Sequence, residues 1–359
     1  MEAWFLREWQ RNSPWQILLR PLSWLFGLLA AGKRAMFRAG LLSVHHAGVP
    51  VVVVGNITVG GTGKTPLVLA ITGMLSKAGY RCGIVTRGYS RDRTVATRVR
   101  AVHVLPGDTD VAIVGDEAAL LASRTTAPVF AAARRIEAVR ALLKSFAETD
   151  VIICDDGLQH YALHRDIEIC VIDGMRGIGN RHLLPAGPLR EAAVRLTSVD
   201  AIVVNGTGAA VTVLARNIAI PPGSLHTMLL GNEAFIALKD GEALSTDQAR
   251  RRFAGKRVHV LAGIGNPQRF FDHVAQMGVI ATATRAFPDH HDFTASDLHA
   301  VDADIVLMTE KDAVKCRSFA DDRMWFMRVD AVLPAAFGEF LVNRLSEVNP
   351  RHVARSQTA

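Results

Sequence analysis

The chain has 359 residues, of which 49% are apolar and 21% charged, with a formal net charge of +7. This length and apolar content suffice for one large or two medium α/β domains and argue against general disorder, which we expect only in the polar tail of residues 349–359. The four scattered cysteines form no C-x-x-C pair, which argues against zinc and dithiol sites and fits a reducing cytosolic compartment.

The positive charge is concentrated at the N-terminus, where residues 1–44 hold six basic and two acidic side chains. The uncharged run 21–32 is too short to cross a hydrocarbon core, which needs about 20 residues. No secretory cleavage pattern follows it. We therefore expect neither a transmembrane helix nor a signal peptide.

The same segment has the pattern of an amphipathic helix, bent at Pro21. One face carries four leucines, at positions 18, 22, 25 and 29, and the opposite face is small and basic, with Ser23, Gly27, Ala31, Arg34 and Arg38. Four of the five tryptophans also fall here, at positions 4, 9, 15 and 24. Aromatic, leucine and basic side chains together favour binding to an anionic membrane surface. The alternative is a helix docked on its own domain.

Residues 51–66 predict a phosphate-binding loop. Four valines favour a buried strand, and the glycines that follow allow a tight turn that aims backbone N–H groups at one anion. Lys64 would reach the outer phosphates and Thr65 would hold Mg²⁺, while Pro66 suits the first turn of a helix. The predicted nucleotide-binding residues are Thr58, Val59, Gly60, Gly61, Thr62, Gly63, Lys64 and Thr65.

This loop departs from the usual spacing at one position. The standard pattern places a glycine five residues before Gly63, where this chain has Thr58. The alternative is a glycine-rich turn that happens to precede a lysine. Strand, turn and helix patterns all fall where a nucleotide site needs them, so we favour the phosphate-binding interpretation.

After the loop, residues 67–77 predict a helix and residues 82–85 a strand, so the sheet is expected to be parallel. The loop around Arg87 would then lie at the ligand-binding edge. Asp116 and Glu117 precede a helical stretch, where they either cap the helix or take part in chemistry. The residues alone favour capping.

A second group of carboxylates follows the buried strand predicted at residues 151–154. Asp155 and Asp156 stand where a nucleotide enzyme holds Mg²⁺, and Gln159 and His160 add polar groups nearby. The alternative is an Asp-Gly turn, which needs only one aspartate. A further strand at 167–172 leads to a rigid proline-rich segment that ends in Arg190, whose guanidinium group suits phosphate.

The C-terminal half predicts a smaller α/β lobe. Strands are expected at 201–204, 258–262 and 305–308, a domain boundary near Pro221, and a terminal helix over 333–345 that packs back on the first lobe. Gly263 and Gly265 lack the third glycine of a dinucleotide fingerprint, and Lys311 stands too close to Asp312 for guanine recognition. The predicted divisions are 1–44, 45–220, 221–330, 331–348 and 349–359.

Eight motifs in order give the sequence a family resemblance. They are G-G-T-G-K-T at 60–65, R-G-Y at 87–89, G-D-E at 115–117, D-D-G-L-Q-H at 155–160, L-P-A-G-P-L-R-E at 184–191, G-I-G-N-P at 263–267, F-P-D-H-H at 287–291 and T-E-K-D-A at 309–313. The chain resembles the tetraacyldisaccharide 4′-kinases of lipid A synthesis. The resemblance implies a P-loop NTPase-like α/β fold with a mostly parallel sheet.

The resemblance also implies an activity and a set of roles. These enzymes use ATP and Mg²⁺ to phosphorylate the 4′-hydroxyl of an acylated glucosamine disaccharide 1-phosphate at the cytoplasmic face of the inner membrane, which gives lipid IVA. Asp116 would be the general base, paired with His290, and Arg135 and Arg190 would neutralise phosphate charge. Lys64, Gln159 and His160 complete the implied catalytic set. The implied metal ligands are Thr65, Glu117, Asp155 and Asp156.

Some choices stay open at this point. His291 competes with His290, and Arg134 competes with Arg135. Among functions, a P-loop switch ATPase is disfavoured because Val59 stands where such ATPases carry a lysine. A nucleic-acid-binding module is disfavoured because the basic excess lies beside tryptophan and leucine. We expect a monomer.

Overall fold

The structure, a computed structural model, describes residues 8–11, 13–88, 101–206, 218 and 220–348. The expected disordered tail, Trp4 and part of the R-G-Y motif lie outside these residues. The strands are β1 (Val51–Gly55), β2 (Cys82–Thr86), β3 (Val102–His103), β4 (Val129–Ala131), β5 (Val151–Asp155), β6 (Ile167–Asp173), β7 (Ala201–Asn205), β8 (Leu225–Ala237), β9 (Ala243–Ser245), β10 (Val258–Ala262), β11 (Ala283–Ala286), β12 (Ile305–Thr309) and β13 (Met324–Val332).

Helices cover the faces of the sheet and follow most of its strands. They are α1 (Trp15–Arg38), α2 (Lys64–Lys77), α3 (Val111–Val114), α4 (Asp116–Arg124), α5 (Arg135–Ser145), α6 (Thr246–Phe253), α7 (Pro267–Gln276), α8 (Ala295–His299), α9 (Glu310–Cys316) and α10 (Ala335–Val348). Short 3₁₀ helices cover Ala193–Ser198 and Arg317–Phe319.

The strands form one path in the order β11-β10-β12-β13-β8-β7-β6-β1-β5-β2-β4-β3, with β9 paired to β8. The pairs β3–β4, β8–β13 and β8–β9 are antiparallel, whereas the neighbours of β1, β5, β6, β7 and β10 are all parallel to them. Buried apolar strands such as β1 are typical of a parallel sheet covered on both faces. The predicted mostly parallel α/β fold is confirmed.

Strand β8 connects two lobes. Its first part pairs in parallel with β7, from Leu225 to Met228, and its second part pairs in antiparallel fashion with β13. We call the part built on β1–β7 the first lobe and the part built on β9–β13 the second lobe. Helix α10 follows the second lobe but buries Phe337, Leu341 and Leu345 in the apolar core of the first.

Helix α1 contacts the first lobe through its small face. The Ser23 hydroxyl donates to the Leu183 carbonyl oxygen (2.9 Å) and accepts from the Ala186 amide (3.0 Å). A Cβ added at Gly27 would lie 2.6 Å from the terminal methyl of Leu183, so a larger residue here would require the Leu183 side chain to move. On the same face, the Arg34 guanidinium donates to Ser198 (3.0 Å). Ser23, Gly27 and Arg34 of the small and basic face therefore point toward the protein, whereas Ala31 and Arg38 are exposed.

The leucine face of α1 points away from the protein. Leu18 is 79% exposed, Trp24 71% and Leu29 65%. The tryptophans do not form one membrane-facing group, as the sequence had indicated. Trp9 is buried and donates its indole N–H to the Pro185 carbonyl oxygen (3.1 Å), while Trp15 donates to Glu8 (2.9 Å). Among the described residues, no helix is both long enough and apolar enough to span a bilayer.

Candidate active site

A cleft of about 550 Å³ lies between the lobes, at the carboxyl ends of the first-lobe strands. This edge is where open parallel sheets bind ligands, because loops from neighbouring strands meet there. The cleft is lined by most of the predicted site residues: Val59, Gly60, Gly61, Thr62, Gly63, Lys64, Thr65, Asp116, Glu117, Asp156, Arg190 and His290.

The phosphate-binding loop joins β1 to α2. Gly60 and Gly63 have φ values of 97° and 92°, in the left-handed region that favours glycine. The Asn205 amide supports the loop from behind by donating to the Thr62 carbonyl oxygen (3.1 Å). Lys64 begins α2, and its ammonium lies 3.5 Å from Asp156 Oδ1. The N-terminus of α2 thus faces the cleft, as an anion site requires.

Thr58 replaces the usual first glycine because the backbone there is not in a turn. The segment pairs with the chain around Leu189: the Val59 amide donates to the Pro188 carbonyl oxygen (2.9 Å) and the Arg190 amide donates to the Ile57 carbonyl oxygen (2.7 Å). Backbone pairing of this kind suits threonine. It also brings Arg190 to the loop, where its guanidinium lies 3.7 Å from Asp156 Oδ2.

The two aspartates after β5 lie in different environments. Asp155 is fully buried, and burial together with the nearby Glu117 raises the pKa of its carboxyl to about 7. None of the described residues forms a hydrogen bond with its buried Oδ1 atom. For Asp156, burial raises the pKa, but the charges of Lys64 and Arg190 outweigh it and lower the pKa below its usual range.

Asp116 and His290 meet across the cleft. Asp116 is the first residue of α4, whose N-cap is Gly115. Its Oδ1 atom accepts a hydrogen bond from the Glu117 amide (2.9 Å), so the carboxylate satisfies one of the free amides at the start of the helix. Its Oδ2 atom lies 2.8 Å from His290 Nδ1. Burial raises the pKa of Asp116, but the hydrogen bond with His290 and the charge of Lys311 lower it overall. The same hydrogen bond raises the pKa of His290.

The structure distinguishes between the neighbouring histidines. His290 has a φ of 58°, a conformation that non-glycine residues rarely adopt and that often marks a functional site. His291 turns away from the cleft, with its ring stacked on Phe287 (4.6 Å between ring centroids) and Nε2 3.4 Å from Asp297. His290 is therefore the histidine available to Asp116.

Neither of the two alternative arginines, Arg134 and Arg135, lines the cleft. Arg135 is only 3% exposed, and its guanidinium donates to the Asp156 carbonyl oxygen (3.1 Å), so it supports the loop after β5 from within. Arg134 is exposed and lies 3.3 Å from Glu137. Sequence could not predict this, since the direction of each side chain depends on how α5 packs.

Gln159 and His160 lie behind the carboxylates, outside the cleft lining. The Gln159 amide donates to the Asn56 carbonyl oxygen (3.0 Å) and to Glu191 (2.7 Å), which ties this loop to the strand before the phosphate-binding loop. Burial and the charge of Arg135 lower the pKa of His160 to about 4, so its imidazole is neutral at pH 7.

Several cleft residues escaped the sequence-based prediction. Arg176 donates to the Gly61 carbonyl oxygen and lies 3.5 Å from Asp173. From the second lobe, Arg269 lies 2.7 Å from Asp173, and Lys311 lies close to Asp116. Lys311 belongs to the T-E-K-D-A motif, which was the one indication in the sequence.

Comparison with known proteins agrees with the geometry. The family model for tetraacyldisaccharide-1-P 4′-kinase matches residues 15–346. A tetraacyldisaccharide 4′-kinase of Methylobacillus flagellatus is 43% identical over 350 residues, which cover 98% of each chain. One from Shewanella baltica is 44% identical over 352 residues, covering 97% of this chain and 96% of its own.

A solved structure shares the fold. It is that of LpxK from Aquifex aeolicus in complex with ATP, with a TM-score of 0.72 and 24% identity, covering 92% of this chain and 99% of its own. Fold and sequence thus confirm the resemblance predicted from the eight motifs. The chain belongs to the tetraacyldisaccharide-1-P 4′-kinase family.

Proposed function

We propose that this chain transfers the γ-phosphate of ATP to the 4′-hydroxyl of a tetraacyldisaccharide 1-phosphate, a step of lipid A synthesis, in the cleft between its lobes. The kinase activity follows from its family. The observation that supports the site is that the Asp116–His290 pair opens into the same cleft as Lys64 and the phosphate-binding loop. A proton acceptor and a phosphate site are the two parts that phosphoryl transfer to a hydroxyl requires.

Asp116 is proposed as the general base. It accepts the 4′-hydroxyl proton, the hydroxyl oxygen bonds to the γ-phosphorus, and the bond from that phosphorus to the bridging oxygen of ADP breaks. His290 orients the carboxylate through the 2.8 Å hydrogen bond and stabilises its charge. The lowered pKa of Asp116 keeps it ionised, and therefore able to accept a proton, at neutral pH.

Lys64 and Arg190 are proposed to bind the phosphates directly, since both line the cleft. For Arg135, Gln159 and His160, we propose supporting roles. Arg135 holds the backbone of Asp155 and Asp156 through its contacts with their carbonyl oxygens, and Gln159 holds the loop that follows them.

Thr65, Glu117, Asp155 and Asp156 are proposed to hold Mg²⁺. The Oδ1 atom of buried Asp155, which has no hydrogen-bond partner among the described residues, and the effect of Glu117 on the pKa of Asp155 indicate crowded carboxylates. A divalent cation would relieve this crowding. Among the described residues, no three His, Cys, Asp or Glu side chains form a metal-binding cluster. Mg²⁺ needs only one or two carboxylates together with phosphate oxygens and water. When bound, it would neutralise charge on the phosphates.

Helix α1 is proposed to attach the enzyme to the cytoplasmic face of the inner membrane. Its outward leucine face and Trp24 offer an exposed apolar surface. The acyl chains of the substrate would keep the substrate in the bilayer, so the enzyme must reach it there. Exposed Arg20, Lys33 and Arg38 would add attraction to anionic lipid.

The activity is tested with purified protein, labelled ATP, Mg²⁺ and acylated disaccharide 1-phosphate. Label should appear on the lipid, and Lys64→Met should abolish most of the transfer. ATP hydrolysis without labelled lipid would contradict the proposal and favour a switch ATPase.

Membrane attachment is tested by sedimentation with anionic vesicles. Replacing Leu18, Leu25 and Leu29 together by serine should release the protein, because it removes apolar surface that inserts between headgroups. Ile280→Ser is the matched control, since Ile280 is 88% exposed in the second lobe. Equal sedimentation of the triple variant and the control would refute the role of α1.

A further inference from the structure

We propose that Lys311 is a further catalytic residue, supplied by the second lobe, whose ammonium binds the transferring phosphoryl group. This inference rests on the kinase function proposed above and extends its site. Lys311 is the second residue of α9, directly after β12. It lines the same cleft as Lys64 but comes from the opposite lobe.

The position of the Lys311 ammonium carries the inference. Its Nζ atom lies 3.8 Å from a carboxylate oxygen of each of Asp116, Glu117 and Asp289, and the side chain is 20% exposed. A fully formed charge-assisted hydrogen bond between an ammonium nitrogen and a carboxylate oxygen is shorter than these distances, at about 2.7–2.9 Å. The ammonium is thus held among three carboxylates at a distance that leaves its donors able to turn toward a ligand in the cleft.

Lys315, one turn later on α9, shows what a structural lysine looks like at this place. Its Nζ lies 2.8 Å from Asp312 Oδ1 and 3.0 Å from the His291 carbonyl oxygen, and its side chain is only 7% exposed. It compensates the charge of Asp312, which is fully buried. Yet Lys315 lies 3.9 Å from Asp116 Oδ2, almost as near as Lys311. The two ammonium groups lie at nearly the same distance from Asp116. They differ in whether their N–H donors are already used in short hydrogen bonds within the protein.

The reaction needs a cation where Lys311 lies. As the hydroxyl attacks, negative charge spreads over the oxygens of the γ-phosphoryl group, and the acidic side chains around it would repel that charge. Lys64 acts from the phosphate-binding loop, beside Asp156. The attacking oxygen must contact Asp116, so the phosphoryl group passes within reach of the ammonium beside Asp116.

A cation supplied by the second lobe also gives a reason for the active site to be shared between the two lobes. An arginine supplied from a separate element stabilises the transition state in many phosphoryl-transfer enzymes, by about 10³–10⁵ in rate. In this chain the corresponding charge would reach the nucleotide only when the two lobes are together, so transfer would require the closed cleft.

The test compares Lys311→Met, Lys311→Arg and Lys315→Met in the full-length protein. Three quantities are measured: kcat for lipid phosphorylation, the Kd for ATP, and the Kd for ADP with aluminium fluoride, which mimics the transferring phosphoryl group. For Lys311→Met we expect kcat to fall about 10²–10³-fold and binding of the mimic to weaken at least about tenfold, with the ATP Kd within about threefold of the wild type. Lys311→Arg should recover part of the loss because it keeps the charge.

Lys315→Met is the matched control for charge near Asp116. It should lower the Tm, because it leaves Asp312 buried without its partner, but the ratio of the Kd for the mimic to the Kd for ATP should stay that of the wild type. Unchanged kcat in Lys311→Met would overturn the inference. So would an equal loss of mimic binding in both methionine variants, since only net charge near Asp116 would then matter. A wild-type protein that labels no lipid would instead refute the proposed function itself.

Discussion

The two sides of the cleft are built in different ways. On the first-lobe side, the polar groups follow the buried strands β1 and β5 directly, so Lys64 and Asp156 come from short contiguous motifs. On the second-lobe side, His290 comes from a loop 174 residues away from its partner Asp116. In the proposed mechanism, the first-lobe side would bind phosphate, and the second-lobe side would orient the base and stabilise the charge on the transferring phosphoryl group.

Helix α4 joins the two sides. It buries Ala118 and Leu121 in the first-lobe core, yet Arg124 at its end lies 2.6 Å from Glu310 and also pairs with Asp330, both of the second lobe. Asp116 at its start faces His290. The proposed base is therefore held by both lobes, and the first three predictions below separate binding from catalysis.

The largest effect is expected at Asp116, where the two sides meet. Asp116→Asn keeps the size of the side chain but cannot accept the hydroxyl proton, so kcat should fall about 10²–10⁴-fold. ATP affinity, measured by equilibrium binding, should change little, because the phosphate-binding loop is intact. A kcat near that of the wild type would remove Asp116 as the base.

A large effect of a different kind is expected on the first-lobe side. Lys64→Met removes the cation that begins α2, so both ATP affinity and kcat should fall, the latter about 10²–10³-fold. Calorimetric titration with ATP and steady-state assays measure the two quantities. If ATP affinity were retained, the division between a binding side and a catalytic side would be wrong.

A smaller effect is expected on the second-lobe side. His290→Asn removes one charge-assisted hydrogen bond from Asp116, worth about 1.5–3 kcal/mol, so kcat should fall about 10- to 100-fold with little change in ATP affinity. His291→Asn is the matched control, because His291 packs on Phe287 outside the cleft. Equal kcat losses in both variants would show that only the fold of this loop matters.

The smallest effect concerns stability and pH. His160 has a pKa of about 4 in the folded chain, below its ordinary value of about 6.5. Between these values the unfolded chain binds a proton that the folded chain does not, so the free energy of unfolding rises with pH across this window. Urea denaturation from pH 4.5 to 7 should show a shallower rise for His160→Gln than for the wild type. Parallel curves would mean that His160 is solvated in the folded chain.

The sequence was sufficient to predict the elements that are built from contiguous residues. The phosphate-binding loop, the carboxylates after β5 and the helix at 15–38 follow from strand, turn and amphipathic patterns, which depend on local backbone preferences and on side-chain periodicity. The sequence also identified Thr58 as the position that departs from the usual loop pattern. It did not show that the backbone at Thr58 pairs with the chain around Leu189, which suits threonine.

Only the tertiary structure decided which side chains face the cleft. It turned Arg135 inward beneath the carboxylates, buried Trp9 and directed the small face of α1, rather than its leucines, toward the protein. The tertiary structure also places His290, rather than His291, in contact with Asp116, and it places Lys311 near the same carboxylate. These outcomes depend on the packing of elements far apart in the chain, and a shift of one residue along a helix turns a side chain by about 100° about the helix axis without changing the local pattern.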